Sequence, residues 1–394
     1  MKFIDALYGT IDLDIEPAVL SLPELQRLRE VRLCNVNSPF ITGGSNLNRF
    51  EHAIGTAYLS KIFCKKNNIK PNKKEFFIAS LIHDIVTGPF GHSLEYLFEA
   101  LKKTEYEHAQ LDTIFKGKTV QASRSYFMNK KSMLIKKNDL FEIKTVRDIL
   151  LGRHNLSKYI ANNIDLDNID NVFRFAYHIG IKFNTGTPEE LARQLTYKDN
   201  QLLITEKNGP LFEEWYNTRK RLYKLLLEEP GEFVAKALLE RTFIELIKED
   251  TINEIDWILV DFDLVKTALT KGNNLSKECI QRYMLMDFPA VTEIFYINNF
   301  QKLDSILQKE KLNLIEKAFE NGVFLHFIRD VNKTQRPIVG INNNNQSVTI
   351  GKKNDRYLIG LFSETKKYIS IVKSEIEKTL DERLMDINHE PSLF

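Results

Sequence analysis

Residues 80–95 read Ser80-Leu-Ile-His83-Asp84-Ile-Val-Thr-Gly88-Pro89-Phe-Gly-His92-Ser-Leu-Glu95, and the rest of the chain is organised around them. An apolar helical run ends at His83-Asp84, and Gly88-Pro89 predicts a break before a new helix begins near Ser93. Adjacent side chains on a helix point roughly 100° apart, so both can reach one ion only at a helix end or turn. The predicted break supplies that room, but a single His-Asp pair needs partners elsewhere before it indicates a metal site.

The composition is that of an ordinary globular protein. The chain has 394 residues, of which 43% are hydrophobic and 27% charged, and this length suggests either two to three domains or one large helical domain with a smaller appendage. A formal net charge of +2 gives no strong field that would favour nucleic acid or an anionic membrane. Nucleic-acid binding is therefore not indicated.

Cysteine usage and the N-terminus predict a cytoplasmic protein. Cys34, Cys64 and Cys279 show no Cys-x-x-Cys spacing, which argues against a zinc-thiolate site and a disulfide framework. Residues 1–5 lack the features of a signal peptide, and no later run approaches about 20 apolar residues. We expect no membrane partner.

The hydrophobic pattern predicts a predominantly α fold with a small C-terminal α+β part. A short hairpin is expected over residues 5–13, a long helix from Arg49, an irregular loop over 116–140, and almost wholly helical structure over 230–320. Three arginines near the N-terminus, Arg27, Arg29 and Arg32, are interpreted as a solvated helix face. The predicted organisation is a core over residues 1–320 and a C-terminal part over 321–394, with strands at 201–206, 337–341, 347–350 and 357–362 and a closing helix over 364–385.

Four side chains from three predicted helices could share one metal ion. They are His52, His83, Asp84 and an acid from the segment 165–170, which together offer two imidazoles and two carboxylates. Taken singly, His52 is typical of a hydrogen-bonded helix boundary, and acids at a helix start are favoured by capping. Taken together, the set suits a six-coordinate divalent ion, one per site, such as Mn²⁺, Mg²⁺, Fe²⁺ or Ni²⁺. Such an ion can bind a phosphate oxygen and acidify a bound water, so phosphate-ester hydrolysis follows.

The order His52, His83-Asp84, Asp167 resembles the H…HD…D signature of the HD-domain metal-dependent phosphohydrolases. More narrowly, the chain is similar to the deoxynucleoside triphosphate triphosphohydrolases, both the bacterial dGTPase type and the animal SAM-and-HD-domain dNTPase, without the SAM domain. Dinucleotide-binding and P-loop motifs are missing from the sequence. The resemblance rests on residues 7–13, 23–29, 48–55, 83–92, 164–170 with 174–180 behind them, and 217–223.

The resemblance implies a role for each matching residue. The metal ligands would be His52, His83, Asp84 and Asp167, with Asp84 also counted as catalytic. Arg49 and Arg219 would hold phosphate oxygens, where a guanidinium fork suits the geometry. His92 would be a proton donor beside the α-phosphate, and His108 another catalytic histidine. The implied reaction is attack of metal-activated water on the α-phosphorus, which releases deoxynucleoside and intact triphosphate.

Several positions depart from the family pattern. Thr87 replaces a catalytic histidine, Ala109 a glutamate, and Asn168 a phosphate-binding lysine. Asn168 and Asn171 are still predicted to bind substrate, together with Arg49 and Arg219. The substrate-facing positions that frame the sugar also differ, and Ser21 replaces an aspartate that reads an activating guanine. These sugar-site positions are Asn171 and Phe175 for a tyrosine and an aspartate, Leu227 for a tyrosine, and Leu33 or Cys34 for a glutamine.

These departures leave three functional hypotheses. The leading one is a dNTP triphosphohydrolase, and the second is an HD phosphodiesterase or nucleotidase acting on another nucleotide. The third is a nucleotide-binding sensor with little turnover. By resemblance we also expect a homo-oligomer with a nucleotide substrate, an allosteric nucleotide between subunits, and a role in nucleotide depletion that could extend to antiviral defence.

Overall fold

The structure, a computed structural model, confirms the predominantly α fold with a smaller sheet-containing part. It describes residues 1–33, 40–42, 46–70, 72–102, 111, 115, 140–253, 256, 258–353 and 355–387. His108, Ala109 and almost all of the predicted loop 116–140 lie outside those ranges. The described part of the chain includes no helix that is both long and apolar enough to cross a membrane.

Helices form most of the described chain. The first seven are α1 (Pro17–Leu20), α2 (Pro23–Gln26), α3 (Arg49–Lys66), α4 (Lys73–Ile82), α5 (His92–Lys102), α6 (Ile143–Leu150) and α7 (Leu166–His178). The others are α8 (Thr187–Gln194), α9 (Gly209–Glu228), α10 (Pro230–Lys248), α11 (Asp261–Lys271), α12 (Asn274–Leu285), α13 (Phe300–Glu320) and α14 (Lys366–Leu380).

The predicted N-terminal hairpin is present and is tied to the helical core. Strands β1 (Lys2–Asp5) and β2 (Gly9–Asp12) pair antiparallel, and Gly9 takes a φ of 71° at the turn. The Asp5 side chain accepts hydrogen bonds from the backbone N–H of Leu7 (2.9 Å) and Tyr8 (3.0 Å). The turn therefore holds Tyr8 in a fixed position facing α7, to which its hydroxyl is bonded.

Helix α3 lies at the centre of the fold, packed against α4, α7 and α8. Asn48 caps its start by accepting from the N–H of Glu51 at 2.9 Å. Gly55 permits the close approach to α7, because a β-carbon there would lie 2.0 Å from Asp170 Oδ1 and 2.2 Å from Arg174 Nη2. A glycine inside this helix thus has a packing reason that outweighs its low helix propensity.

The stretch 80–95 forms the helix, break and helix that the sequence predicted. Helix α4 ends at Ile82 and α5 begins at His92, and the turn between them contains Phe90 and Gly91 with φ values of 57° and 65°. The Phe90 N–H donates to Asp261 Oδ1 at 2.8 Å. Arg27, which is fully buried, donates to the carbonyls of Ile85 (3.1 Å), Thr87 (2.6 Å) and Leu259 (2.9 Å). Interpreting Arg27 as solvated was therefore wrong.

Two four-stranded sheets complete the described fold. One has the order β10-β5-β9-β6 and is antiparallel, and the other has the order β3-β4-β7-β8 with β4 and β7 parallel. Their strands are β3 (Tyr197–Lys198), β4 (Gln201–Leu203), β5 (Val291–Ile297), β6 (Val323–Val331), β7 (Ile338–Ile341), β8 (Ser347–Ile350), β9 (Asp355–Ser363) and β10 (Met385–Asp386).

The sheets bear on two predictions, the helical segment 230–320 and the division of the chain at residue 320. Strand β5 shows that residues 230–320 are not wholly helical, because Val291–Ile297 is a seven-residue strand paired along its length with β9. Both sheets combine strands from either side of residue 320, so the division into residues 1–320 and 321–394 stays a prediction.

Candidate metal centre

Four side chains converge where α3, the end of α4 and the start of α7 meet. His52 Nε2 lies 3.2 Å from His83 Nε2 and 2.9 Å from Asp167 Oδ1. His83 Nε2 lies 3.7 Å from Asp167 Oδ1. Asp84 Oδ2 completes the group at 3.6 Å from His83 Nε2 and 4.0 Å from His52 Nε2. The four residues that the sequence predicted as ligands therefore point potential ligand atoms at one small volume.

The outer nitrogens of both histidines are held by hydrogen-bond acceptors. His83 Nδ1 lies 2.8 Å from the carbonyl oxygen of Ser80, and His52 Nδ1 lies 2.7 Å from Asp170 Oδ2. Carbonyl oxygens and ionised carboxylates accept hydrogen bonds and do not donate them. Each Nδ1 therefore carries a ring proton, and each Nε2 faces inward, where it can offer a lone pair to a metal ion. This is the arrangement that orients histidine for metal binding.

The inward-facing atoms need a cation between them. Two Nε2 lone pairs 3.2 Å apart, beside two carboxylates, repel one another unless a proton or a metal ion lies among them. A mixed nitrogen and oxygen set of this kind suits a divalent ion such as Mn²⁺, Fe²⁺ or Ni²⁺. The described residues His52, His83 and Asp167 offer ligand atoms that all lie within 4.8 Å of one another.

The pKa values of His83 and Asp167 are shifted because these ionisable groups lie close together. Burial lowers the pKa of His83, but the carboxylates of Asp84 and Asp167 outweigh it and raise the pKa to about 10. Burial raises the pKa of Asp167, but the hydrogen bonds from His52 and His83 hold it well below its ordinary value. Without a metal ion, protons on the histidines take over part of the role of the cation.

A buried ion cluster lies behind His52. Asp170 is fully buried and accepts from Arg174 Nε (2.9 Å) and Nη2 (3.0 Å), and from the Tyr8 hydroxyl (2.8 Å). Arg174 Nη1 reaches Asp5 Oδ2 (2.9 Å) and Glu51 Oε1 (2.6 Å). The orientation of the His52 ring is thus fixed by groups that come from the hairpin, α3 and α7.

The three acids at the start of α7 have different surroundings. Asp165 caps the helix by accepting from the N–H of Asn168 (2.7 Å), Asp167 faces the two histidines, and Asp170 holds His52. The sequence analysis did not assign Asp170. The sequence did contain a signal for this role. Asp170 follows Asp167 by three residues and precedes Arg174 by four, and both spacings put the paired residues on one helix face.

Asp84 is bonded on both of its oxygens. Arg49 Nη1 donates to Asp84 Oδ2 at 2.7 Å, and Thr87 Oγ1 donates to Asp84 Oδ1 at 3.2 Å. Arg49 is buried, and its Nε has no hydrogen-bond partner among the described residues. Thr87, which by resemblance stands in place of a catalytic histidine, therefore helps to position the predicted ligand Asp84. Arg49, which contacts the same carboxylate, keeps its Nε–H donor unused among the described residues.

The remaining predicted substrate residues differ in their surroundings. Asn168 is occupied within the protein, because its amide donates to Asp165 at 3.0 Å and its oxygen accepts from Arg336 at 3.2 Å. Arg219 is buried, donates to the carbonyl of Lys333, and lies 4.0 Å from the Tyr223 ring centroid. Asn171 is half-buried one turn after Asp167, and His92 is the first residue of α5. Phosphate or substrate contacts by these residues stay predictions.

Comparison with known proteins finds a family match for one segment of the chain. Residues 49–124 match the HD domain family, and this segment contains His52, His83 and Asp84. An uncharacterized protein of Methanocaldococcus jannaschii is 24% identical over 332 residues, which cover 81% of this chain and 67% of that protein. The human deoxynucleoside triphosphate triphosphohydrolase SAMHD1 is 25% identical over 280 residues, which cover 62% of this chain but only 44% of SAMHD1.

Solved structures confirm the fold class. A phosphohydrolase from Bacteroides thetaiotaomicron aligns with a TM-score of 0.68 at 15% identity, over 93% of this chain and 100% of that one. A hypothetical protein from Aquifex aeolicus aligns with a TM-score of 0.67 at 18% identity. The fold is therefore shared with solved structures over most of the chain, whereas the HD family match covers residues 49–124 and the similarity to SAMHD1 covers 62% of this chain.

Proposed function

We propose that this HD-domain phosphohydrolase cleaves deoxynucleoside triphosphates into deoxynucleoside and intact triphosphate. The observation that carries the proposal is the convergence of His52, His83, Asp84 and Asp167, with both histidine Nδ1 atoms held by acceptors. The similarity to proteins named deoxynucleoside triphosphate triphosphohydrolase supports the choice of substrate.

These four residues would hold a divalent ion, which would supply Lewis acidity toward a phosphate oxygen and toward the attacking water. Ser80 and Asp170 keep both imidazoles in the tautomer that leaves Nε2 free. Arg49 would exchange part of its contact with Asp84 for a phosphate oxygen and neutralise the charge that develops there.

His92 is the proposed proton donor to the departing 5′ oxygen. It lies at the start of α5, immediately after the turn that Phe90, Gly91 and Arg27 shape. Because the rest of the chain holds this turn rigidly, His92 would keep a constant position relative to Asp84. His108 is proposed as the second catalytic histidine by resemblance alone.

A second candidate is hydrolysis of another nucleotide at the same metal centre. By resemblance, Phe175 and either Leu33 or Cys34 stand where the family contacts deoxyribose. Leu33 and Phe175 are buried with Leu222 in one apolar cluster. Such packing offers no polar contact to a sugar and favours a different geometry in that part of the pocket. The predicted allosteric nucleotide, homo-oligomer and cytoplasmic location stay predictions.

Product analysis tests the proposal. Purified protein is incubated with each dNTP and NTP in Mn²⁺ or Mg²⁺, and products are separated by anion exchange, beside Asp167→Asn and the exposed control Asp199→Asn. The proposal expects deoxynucleoside plus triphosphate from the wild type and the control, and at least a hundredfold loss in Asp167→Asn. Monophosphate or orthophosphate as the first product would favour the second candidate, and no turnover with any nucleotide would favour a sensor.

A further inference from the structure

The loop at residues 332–337, between β6 and β7, carries a guanidinium to the start of α7. Arg336 Nη1 donates to Asn168 Oδ1 at 3.2 Å, and Asn168 directly follows the predicted ligand Asp167. The other nitrogens of Arg336 donate to Asn163 Oδ1 at 2.7 Å and to the carbonyl of Asn162 at 3.1 Å. All three acceptors are neutral, so these bonds hold Arg336 in place without cancelling its charge.

The same loop reaches the neighbourhood of His92. Lys333 Nζ lies 5.9 Å from the ring centroid of Tyr96, and the Tyr96 ring lies 6.2 Å from that of His92. The carbonyl of Lys333 accepts a hydrogen bond from Arg219. The loop therefore extends from Tyr96, a neighbour of the predicted proton donor, to Asn168, the residue after a predicted metal ligand, and Arg219 is bonded to it.

Among the described residues, no carboxylate lies within ion-pair distance of the three cations of this region, Arg219, Lys333 and Arg336. Their hydrogen bonds go to carbonyl or amide oxygens and, from Arg219, to the Tyr223 hydroxyl. Burial lowers the pKa of Arg219, and burial together with Lys236 lowers that of Lys333 to about 8. Withdrawing unpaired positive charge from water is costly, so the cluster is suited to receive an anion.

The loop is also rigid before any ligand binds. Asp330 is fully buried and accepts from the backbone N–H of Thr334 at 2.9 Å and from its hydroxyl at 2.5 Å. Its second contact is Arg356 Nε at 2.8 Å. Asp330 thus pairs with Arg356 and shapes the loop, and its charge offsets only part of the effect of burial on the pKa of Lys333 and Arg219. An anion that binds to Lys333 and Arg336 therefore meets a pre-organised site.

We infer that Lys333 and Arg336, with Arg219, form an anion subsite that takes the phosphate chain of the substrate; this inference rests on the proposed function. Guanidinium forks bind phosphate oxygens bidentately, and an ammonium adds a mobile point charge. Asn168 stands where a phosphate-binding lysine is expected by resemblance, and Arg336 brings a positive charge to that place from a distant part of the chain. A chain of several phosphates matches three cations spread along one loop.

Binding of inorganic triphosphate to the full chain tests the subsite without requiring turnover. The anion is titrated calorimetrically at a fixed concentration of free Mn²⁺ into the wild type, Lys333→Gln, Arg336→Gln and the charge-matched control Lys366→Gln. Lys366 is exposed and lies 3.6 Å from Glu293. Loss of one charge-assisted contact weakens binding roughly tenfold to a hundredfold. We expect that loss in the first two variants and an unchanged Kd in the control.

One further variant and two parallel assays, thermal unfolding and dNTP turnover, keep the test decisive. Arg336→Lys, which retains the charge, should recover part of the affinity, and thermal unfolding checks that each variant is folded. Lys333→Gln removes no hydrogen bond within the described residues and is the cleaner variant.

Wild-type dNTP turnover with an unchanged triphosphate Kd in both glutamine variants would overturn the subsite and leave the proposed function intact. Triphosphate binding that both variants weaken, without nucleotide turnover, would keep the subsite and reject the function. A wild type that binds no triphosphate would overturn the subsite.

Discussion

Asp170→Asn tests whether the buried cluster behind His52 controls the metal centre. Asp170 Oδ2 accepts from His52 Nδ1 and Arg174 Nε, and Oδ1 accepts from the Tyr8 hydroxyl and Arg174 Nη2. An asparagine has almost the same shape, but in either orientation its NH₂ group faces two donors. The His52 ring then loses the charged acceptor that fixes its tautomer.

The contacts of Asp170 indicate how much stability and how much metal affinity Asp170→Asn should lose. Arg174 keeps Asp5 and Glu51 as partners, so the stability cost should fall at the lower end of the range for a broken buried ion pair, about 3 kcal/mol. Replacing a group that orients a metal-binding histidine lowers metal affinity by roughly tenfold to a hundredfold. Urea unfolding in EDTA measures the first effect, and calorimetric titration of Mn²⁺ into the folded protein measures the second.

Asp5→Asn is the matched control. It removes a carboxylate 2.9 Å from Arg174 Nη1 but does not touch His52. We expect it to be destabilised while its Mn²⁺ affinity stays within about threefold of the wild type, well short of the loss that follows when the orienting group is removed. If the two variants lose metal affinity equally, or neither does, Asp170 does not act through His52 and the reasoning is refuted.

Two other predictions concern packing and pH. In Gly55→Ala the new β-carbon would lie 2.0 Å from Asp170 Oδ1. The cost of overpacking should exceed the roughly 1 kcal/mol gain in helix propensity, so we expect urea unfolding to show a net loss of about 1–3 kcal/mol in stability. An equally stable or more stable variant would contradict the close contact. Burial raises the pKa of Glu240, but Lys311 and His326 outweigh it and lower the pKa to about 2 from 4.5. The lowered pKa corresponds to a stabilisation on the order of 3 kcal/mol, which is present above pH 4.5 and is lost as the pH falls toward 2. The difference in unfolding free energy between wild type and Glu240→Gln should therefore shrink over that window. A constant difference would contradict the prediction.

The sequence allowed the ligand-bearing elements to be predicted because local signals mark them. Helical periodicity and the Gly88-Pro89 break placed His83 and Asp84 at a helix end, and the structure has α4 ending at Ile82. The pairing of these residues with His52 and Asp167 came from the order of the motif and not from periodicity. Their convergence depends on how α3 and α7 pack, which no local pattern contains.

Other features could not be predicted because they depend on distant contacts. Three acids at the start of α7 look alike in sequence, and only packing against His52 distinguishes Asp170. Arg27 resembles a surface arginine until three carbonyls from two distant segments surround it. Strand β5 was missed because its apolar residues could equally extend the surrounding helices, and pairing with β9 decides the outcome. The contact between Arg336 and Asn168 joins residues 168 positions apart.

The position of the oxygen that water contributes is the most direct test of the central claim, that a His-His-Asp-Asp centre directs water to the α-phosphorus. The wild type is incubated with dNTP and Mn²⁺ in ¹⁸O-water, beside Asp167→Asn, and the products are analysed by mass spectrometry. The account predicts one ¹⁸O in the triphosphate, none in the deoxynucleoside, and loss of both products in the variant. Label in the deoxynucleoside hydroxyl, label in released orthophosphate or monophosphate, or undiminished turnover in Asp167→Asn would contradict it.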